Sequence, residues 1–144
     1  MFIGEYSHTL DGKNRLAVPA RFRKELGGKA VLTRGLDRCL LLYSMASWQE
    51  IALKLGKMPI GESGTRSFVR LMLAGAVEVS LDRLGRVLVP EYLKDYAGLV
   101  KNTVVNGLFN RIEIWEEKGW KLYKQKAEKR TAKVAEKLGE LGVY

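Results

Sequence analysis

Polar and apolar residues alternate in "YSHTL" (6–10) and "RLAV" (15–18), which flank the polar turn "DGKN". That pattern predicts two short strands around a turn. "AVEVSL" (76–81) and "RVLV" (86–89) flank a second turn, "DRLG", in the same way. A proline follows each second strand, Pro19 or Pro90, and then comes "ARFRKEL" or "EYLKDYA", ended by Gly27 or Gly98. Proline at the start and glycine just past the end predict a short helix in each place. Further on, Ser47 and Glu50 in "SWQEIALKL" fit a capping box that opens a helix, "GKMPIGESG" reads as a punctuated break, and "TRSFVRLMLAGA" reads as a second helix. The chain closes in "EEKGWKLYKQKAEKRTAKVAEKL", a charged segment with a thin apolar stripe at Leu122, Ala127, Val134 and Leu138. It predicts one solvated or oligomer-packing helix.

The two hairpins are copies of one another. At an offset of 71, residues 10–19 and 81–90 share Leu, Asp, Arg, Val and Pro, five identities in ten. Asn14 falls on Gly85, and both types tolerate the left-handed backbone that such a turn needs. With one residue inserted the likeness continues through "GLDRCLLLYSMASW" from Gly35 and "GLFNRIEIWEEKGW" from Gly107. Each copy of about 45 residues is too small to cover both faces of its own sheet, so two in one chain predict a pseudo-twofold barrel. Two units fall short of the three that a solenoid needs.

Composition narrows the function. In 144 residues, 25 Lys and Arg stand against 16 Asp and Glu, a formal charge of +9. That excess suits a polyanionic partner, and equally a lysine-rich tail that keeps the protein soluble. The apolar runs fall short of a membrane span, and "MFIGEYSH" has no signal-peptide pattern, which places the protein in the cytoplasm. Cys39, the one cysteine, reads as a small core residue, and no metal or cofactor motif is present. His8, the one histidine, has no nucleophile in a recognisable partner motif, so an enzyme is disfavoured. Trp48 and Trp120, equivalent in the two copies, read as core residues.

The twin segments "LDGKNRLAVP" and "LDRLGRVLVP", in a chain opening "MFIGEYSHTLDGKNRLAVPARFR", closely resemble the MraZ family over nearly the whole length. The resemblance implies an α+β fold, mainly a β barrel, in which two tandem AbrB-like repeats form an intramolecular pseudo-dimer of the swapped-hairpin or double-psi type with flanking helices. The expected units are a first repeat at 1–51, a helical connector at 52–76, a second repeat at 77–123 and a helical tail at 124–144. It also implies a nucleoid-associated transcriptional regulator, usually a repressor. Such a protein binds short direct repeats in double-stranded DNA upstream of the division and cell-wall gene cluster, and assembles into ring-shaped homo-oligomers.

The family's Asp-x-x-x-Arg pattern maps onto Asp11 and Arg15, and onto Asp82 and Arg86. The arginines are the expected DNA contacts, because a guanidinium fork pairs with phosphate or bidentately with guanine. The bland alternative is a pair of ion pairs that merely hold the hairpins. The aspartates are expected to orient the arginines, since a carboxylate beside phosphate is repelled. Lys13 and Arg83 in the turns extend the basic surface. By resemblance, so do Arg23 and Lys24 after the first proline and Lys94 after the second. A family basic position falls at His8 in the first half and at Val79 in the second, which favours the first half as DNA reader. The remaining rival is a protein-binding adaptor that docks acidic partners on the basic turns.

Overall fold

The computed structural model describes residues 1–143. The first half runs β1 (Phe2–Thr9), β2 (Arg15–Ala17), α1 (Ala20–Leu26), β3 (Lys29–Arg34), β4 (Leu40–Ser44) and α2 (Met45–Gly56). Helix α3 (Ser63–Ala74) then leads into β5 (Val77–Ser80), β6 (Arg86–Leu88), α4 (Glu91–Ala97), β7 (Asn102–Phe109), β8 (Arg111–Glu116) and α5 (Glu117–Glu128). A last helix, α6 (Thr131–Glu140), follows. The repeat is therefore one of elements as well as letters. Both short helices occupy the predicted span between Pro19 and Gly27 and between Pro90 and Gly98.

The predicted hairpins form differently. A single bridge, from Leu10 just past the end of β1 to Leu16 in β2, joins the two, and each strand has its ladder in the other half. β1 pairs with β7 of the second half, while β5 pairs with β3 of the first. β2 and β6 pair with each other as a separate two-stranded ribbon. The main sheet is six-stranded and antiparallel in the order β1-β7-β8-β4-β3-β5, a palindrome under exchange of the two halves. In place of the expected closed barrel, β1 and β5 remain edges. β2 and β6, of three residues each, are too short to close the sheet across those edges.

Other expectations shift as well. Helix α2 begins ahead of the predicted capping box: Ser44 is the N-cap, and its hydroxyl accepts the Ser47 backbone N–H at 3.2 Å. Ser44 is still extended, as the last residue of β4, so the strand end itself becomes the cap. The charged C-terminal segment is two helices, broken at Lys129 and Arg130. The second half also differs in length. Ala30 and Thr103, 73 positions apart, face the equivalent N-caps Ser44 and Glu116, which are 72 apart. Two residues are thus added ahead of β7 and one is lost in the β7–β8 turn.

Two apolar clusters hold these elements. The inner one joins Phe2, Leu16, Phe22, Leu32, Leu42, Val87, Leu93 and Ile114 from both halves. The outer one joins Cys39, Tyr43, Leu55, Met72 and Trp115 beneath α2 and α3, with Trp48 and Trp120 packed against it. Both tryptophans thus take the core role expected of them. Burial pushes the Cys39 thiol up to about 12, which makes it inert.

β1 packs tightly against β7 at Gly107, where a Cβ would stand 2.5 Å from the Ile3 nitrogen and 2.7 Å from both the Phe2 carbonyl carbon and Phe22 Cζ. Gly107→Ala is expected to destabilise by about 1–3 kcal/mol through overpacking. Gly64→Ala, in α3 where a Cβ meets nothing within 4 Å, should hold stability or raise it by up to about 1 kcal/mol. Urea unfolding of the two variants checks the contrast.

Candidate nucleic-acid interface

Each turn is built around its aspartate. Asp11 Oδ1 accepts the backbone N–H of Lys13 at 2.9 Å and of Arg15 at 2.8 Å, and Oδ2 accepts Arg15 Nε at 2.8 Å. Asp82 repeats this with the N–H of Leu84 and of Arg86, both at 2.9 Å, and with Arg86 Nε at 2.8 Å. The chain can bend so tightly because Asn14 and Gly85 take positive φ values of 60° and 71°. The equivalence of Asn14 and Gly85 read from the sequence therefore holds in the backbone.

Both carboxyls lie below their ordinary value. The foremost cause at Asp11 is the Arg15 backbone N–H, opposed by desolvation and reinforced by the Arg15 side chain and the Lys13 N–H. At Asp82 the same order holds with Arg86 and Leu84. Each aspartate is thus a fixed anion that ties the turn and aims the guanidinium.

The β2–β6 ribbon brings the turns together. Arg15 faces Leu88, Leu16 faces Val87 and Ala17 faces Arg86. Side chains two apart on a strand, or directly opposite across it, share a face, so Arg15, Ala17, Arg86 and Leu88 lie on one side. Leu16 and Val87 point the other way and are buried. Two backbone bonds lock the ribbon's ends, Val18 N–H to the Gly85 carbonyl at 2.9 Å and Val89 N–H to the Asn14 carbonyl at 2.8 Å. The arginines are adjacent and partly exposed, at 34% for Arg15 and 26% for Arg86, and Arg86 Nη1 lies 3.7 Å from Asp11 Oδ2.

The helix residues come from the opposite repeat. Arg23, on α1, donates from Nε to the Val18 carbonyl at 2.9 Å and covers the second turn, where a Cβ on Gly85 would lie 2.2 Å from that nitrogen. Lys94, on α4, borders a depression beside the first turn with Asp11, Gly12 and Asn14, and lies 3.9 Å from Glu91. Glu91 in turn accepts Asn14 Nδ2 at 2.8 Å. Lys13 and Arg83 are exposed in the turns without an ion pair among the described residues. Lys24 is exposed in the last turn of α1, with no hydrogen bond or ion pair to either turn among the described residues. His8 sits in β1 opposite Thr103, and burial, then the Arg23 charge, lower its pKa, so it is neutral at pH 7.

Sequence reasoning missed two members. Lys101, whose carbonyl accepts the Leu10 N–H at 2.8 Å, lines the same depression as Lys94. It stands where Gly28 serves the first half, bonded to Leu81, and the two-residue lengthening hides that correspondence. Leu88, to which the sequence assigns no role, is exposed on the arginine face. Its pairing opposite Arg15 is the reason, and that pairing crosses between the halves.

A family model described as "MraZ protein, putative antitoxin-like" matches the chain twice, at residues 1–71 and 72–140. Proteins named "Transcriptional regulator MraZ" are similar over 143 residues, which is 99% of this chain and all of each relative. Identity is 47% with that of Clostridium acetobutylicum, 46% with that of Moorella thermoacetica and 45% with that of Halothermothrix orenii.

The depressed carboxyls make the turns sensitive to acid. Their contribution to stability is present above the ordinary carboxyl value of 3.8 and is lost as pH falls through the lowered folded values. Chemical unfolding of the wild type and of the D11N/D82N variant should show a stability gap at pH 6 that narrows steadily below about pH 4. A gap that stays constant into acid would contradict the arrangement.

Proposed function

This chain belongs to the MraZ family of transcriptional regulators, and we propose that it binds double-stranded DNA sequence-specifically through the exposed face of the β2–β6 ribbon. The observation that carries this reading is the placement of Arg15 and Arg86 on one face of a two-stranded ribbon, with each Nε held by its own aspartate. A major groove admits a two-stranded ribbon, and the guanidinium ends left over can meet guanine edges or phosphates. Lys13, Arg83, Arg23, Lys94 and Lys24 are the supporting cations in this proposal, and Lys101 joins them. Asp11 and Asp82 orient the arginines.

The two halves act as a pseudo-dimer of the swapped-hairpin type, a reading supported by the exchange of β1 and β5 between them. The target in this proposal is a set of short direct repeats upstream of the division and cell-wall cluster that contains the gene itself, and occupancy represses transcription. The protein works in the cytoplasm at the nucleoid. Successive repeats call for successive copies of the chain, joined in a ring. Exposed apolar residues away from the ribbon support self-association: Leu36 in the β3–β4 turn, Ile3 and its cross-strand partner Leu108, and Phe109. Linking weak sites in this way raises the overall affinity through effective concentration.

Electrophoretic shift with the duplex from upstream of the gene tests the interface. Arg15→Ala and Arg86→Ala should each weaken binding by about tenfold or more, the scale of losing one good arginine contact. The double substitution should abolish the shift, and undiminished binding by it would refute the assignment. For the wild type, log affinity should fall with log salt by about 0.9 for each phosphate contacted. An affinity indifferent to salt, with acidic proteins captured instead, would favour the adaptor reading.

A further inference from the structure

The two arginines look interchangeable from the repeat, but their surroundings differ. Each donates Nε to its own aspartate, which leaves the two terminal nitrogens as the working end. For Arg15 that end has neither a hydrogen bond nor an ion pair among the described residues. For Arg86 one terminal nitrogen, Nη1, faces Asp11 Oδ2 at 3.7 Å, the same oxygen that receives Arg15 Nε. No reciprocal pair joins Arg15 to Asp82 among the described residues. One carboxylate thus serves both guanidinium groups, and the other serves only its own.

Cations flank both turns. The second turn gathers Arg83 and, across the repeat boundary, Arg23 packed over Gly85. Beside the first turn the nearby helix lysine, Lys94, stands close to the Glu91 carboxylate, which also holds Asn14. Lys13 and Lys101 also flank the first turn, so cations surround both turns, and what sets the arginines apart is the fork, free in Arg15 and faced by Asp11 in Arg86.

We infer that Asp11, shared between Arg15 and Arg86, divides their work: Arg15 reads a base edge with its free two-nitrogen fork, and Arg86 anchors a phosphate. The inference rests on the DNA-binding reading above and deepens it. Bidentate contact with guanine O6 and N7 needs two donors in a fixed plane, which Arg15 keeps. A phosphate contact needs no more than one donor and a nearby charge, which Arg86 can supply with Nη1 facing Asp11. Asp11 is in this sense a positioning residue that acts through both arginines.

Conservative substitutions separate the roles, because lysine keeps the charge and loses the fork. Affinities of R15K, R86K, D11N and D82N are measured for the upstream duplex and for a scrambled duplex of equal length, after thermal melting has confirmed that each variant folds. R15K and D11N should lower the ratio of the two affinities by about tenfold or more, the scale of one bidentate base contact. R86K and D82N should weaken both duplexes together and keep the ratio within about threefold, as loss of a phosphate contact does. Arg86→Ala should reduce the salt slope by about 0.9, with the slope of Arg15→Ala unchanged. Equal loss of the ratio in R15K and R86K, or in D11N and D82N, would overturn the division of labour while leaving DNA binding intact. A wild type that binds neither duplex would overturn the DNA-binding reading itself, and this inference with it.

Discussion

Backbone hydrogen bonds that neither half of the chain can satisfy alone dictate this structure. β1 has its register of partners in β7, β5 has its partners in β3, and the short β2 and β6 pair with each other. An isolated repeat would expose a polar edge on each of its four strands, and leaving such groups unpaired in a buried setting costs free energy on the scale of lost hydrogen bonds. Exchange between the halves removes that cost and draws Leu16, Val87, Phe22 and Leu93 into one inner cluster. The ribbon that carries both arginines is thus a by-product of closing the core. Its exposed face exists because its other face, Leu16 and Val87, is buried.

On that ribbon, charge is arranged in two layers. The inner layer is Arg15, Asp11, Arg86 and Asp82, formally neutral, in which each guanidinium is held through Nε and the carboxylates are locked as anions by backbone N–H groups. Its purpose is geometric, since exposed pairs of this kind contribute little to stability. Arg23 and Lys94 stand outside it, each reaching the turn of the other repeat, together with Lys13 and Arg83 in the turns themselves. The outer layer supplies the unbalanced positive charge that a polyanion would feel.

Much of this was legible in the residues. The Asp-x-x-x-Arg spacing and the match of Asn14 with Gly85 foretold two like turns, and the Pro–Gly brackets foretold α1 and α4. Local chemistry sets these features, so local sequence reports them. Partner choice was not legible. "YSHTL" and "RLAV" look like a hairpin, but their partners lie roughly 70 to 100 residues away, and nothing in either stretch names β7 or β6. The same blindness hid Lys101 beside the first turn and the contact of Arg86 with Asp11. The capping box failed for a milder reason, because Ser44 and Ser47 are both plausible caps and only the end of β4 decides between them.

The account stands on the claim that both turns meet the double helix together, as one surface. Its most direct measurement is a titration of the isotopically labelled protein with the upstream duplex, followed by NMR through the Arg15 and Arg86 Nε–H signals and the amides of Lys13 and Leu84. The account predicts that all four move with a single saturation curve while the amides of α5 and α6 stay in place. Shifts confined to the lysine-rich helices, with both Nε–H signals unmoved, would contradict it.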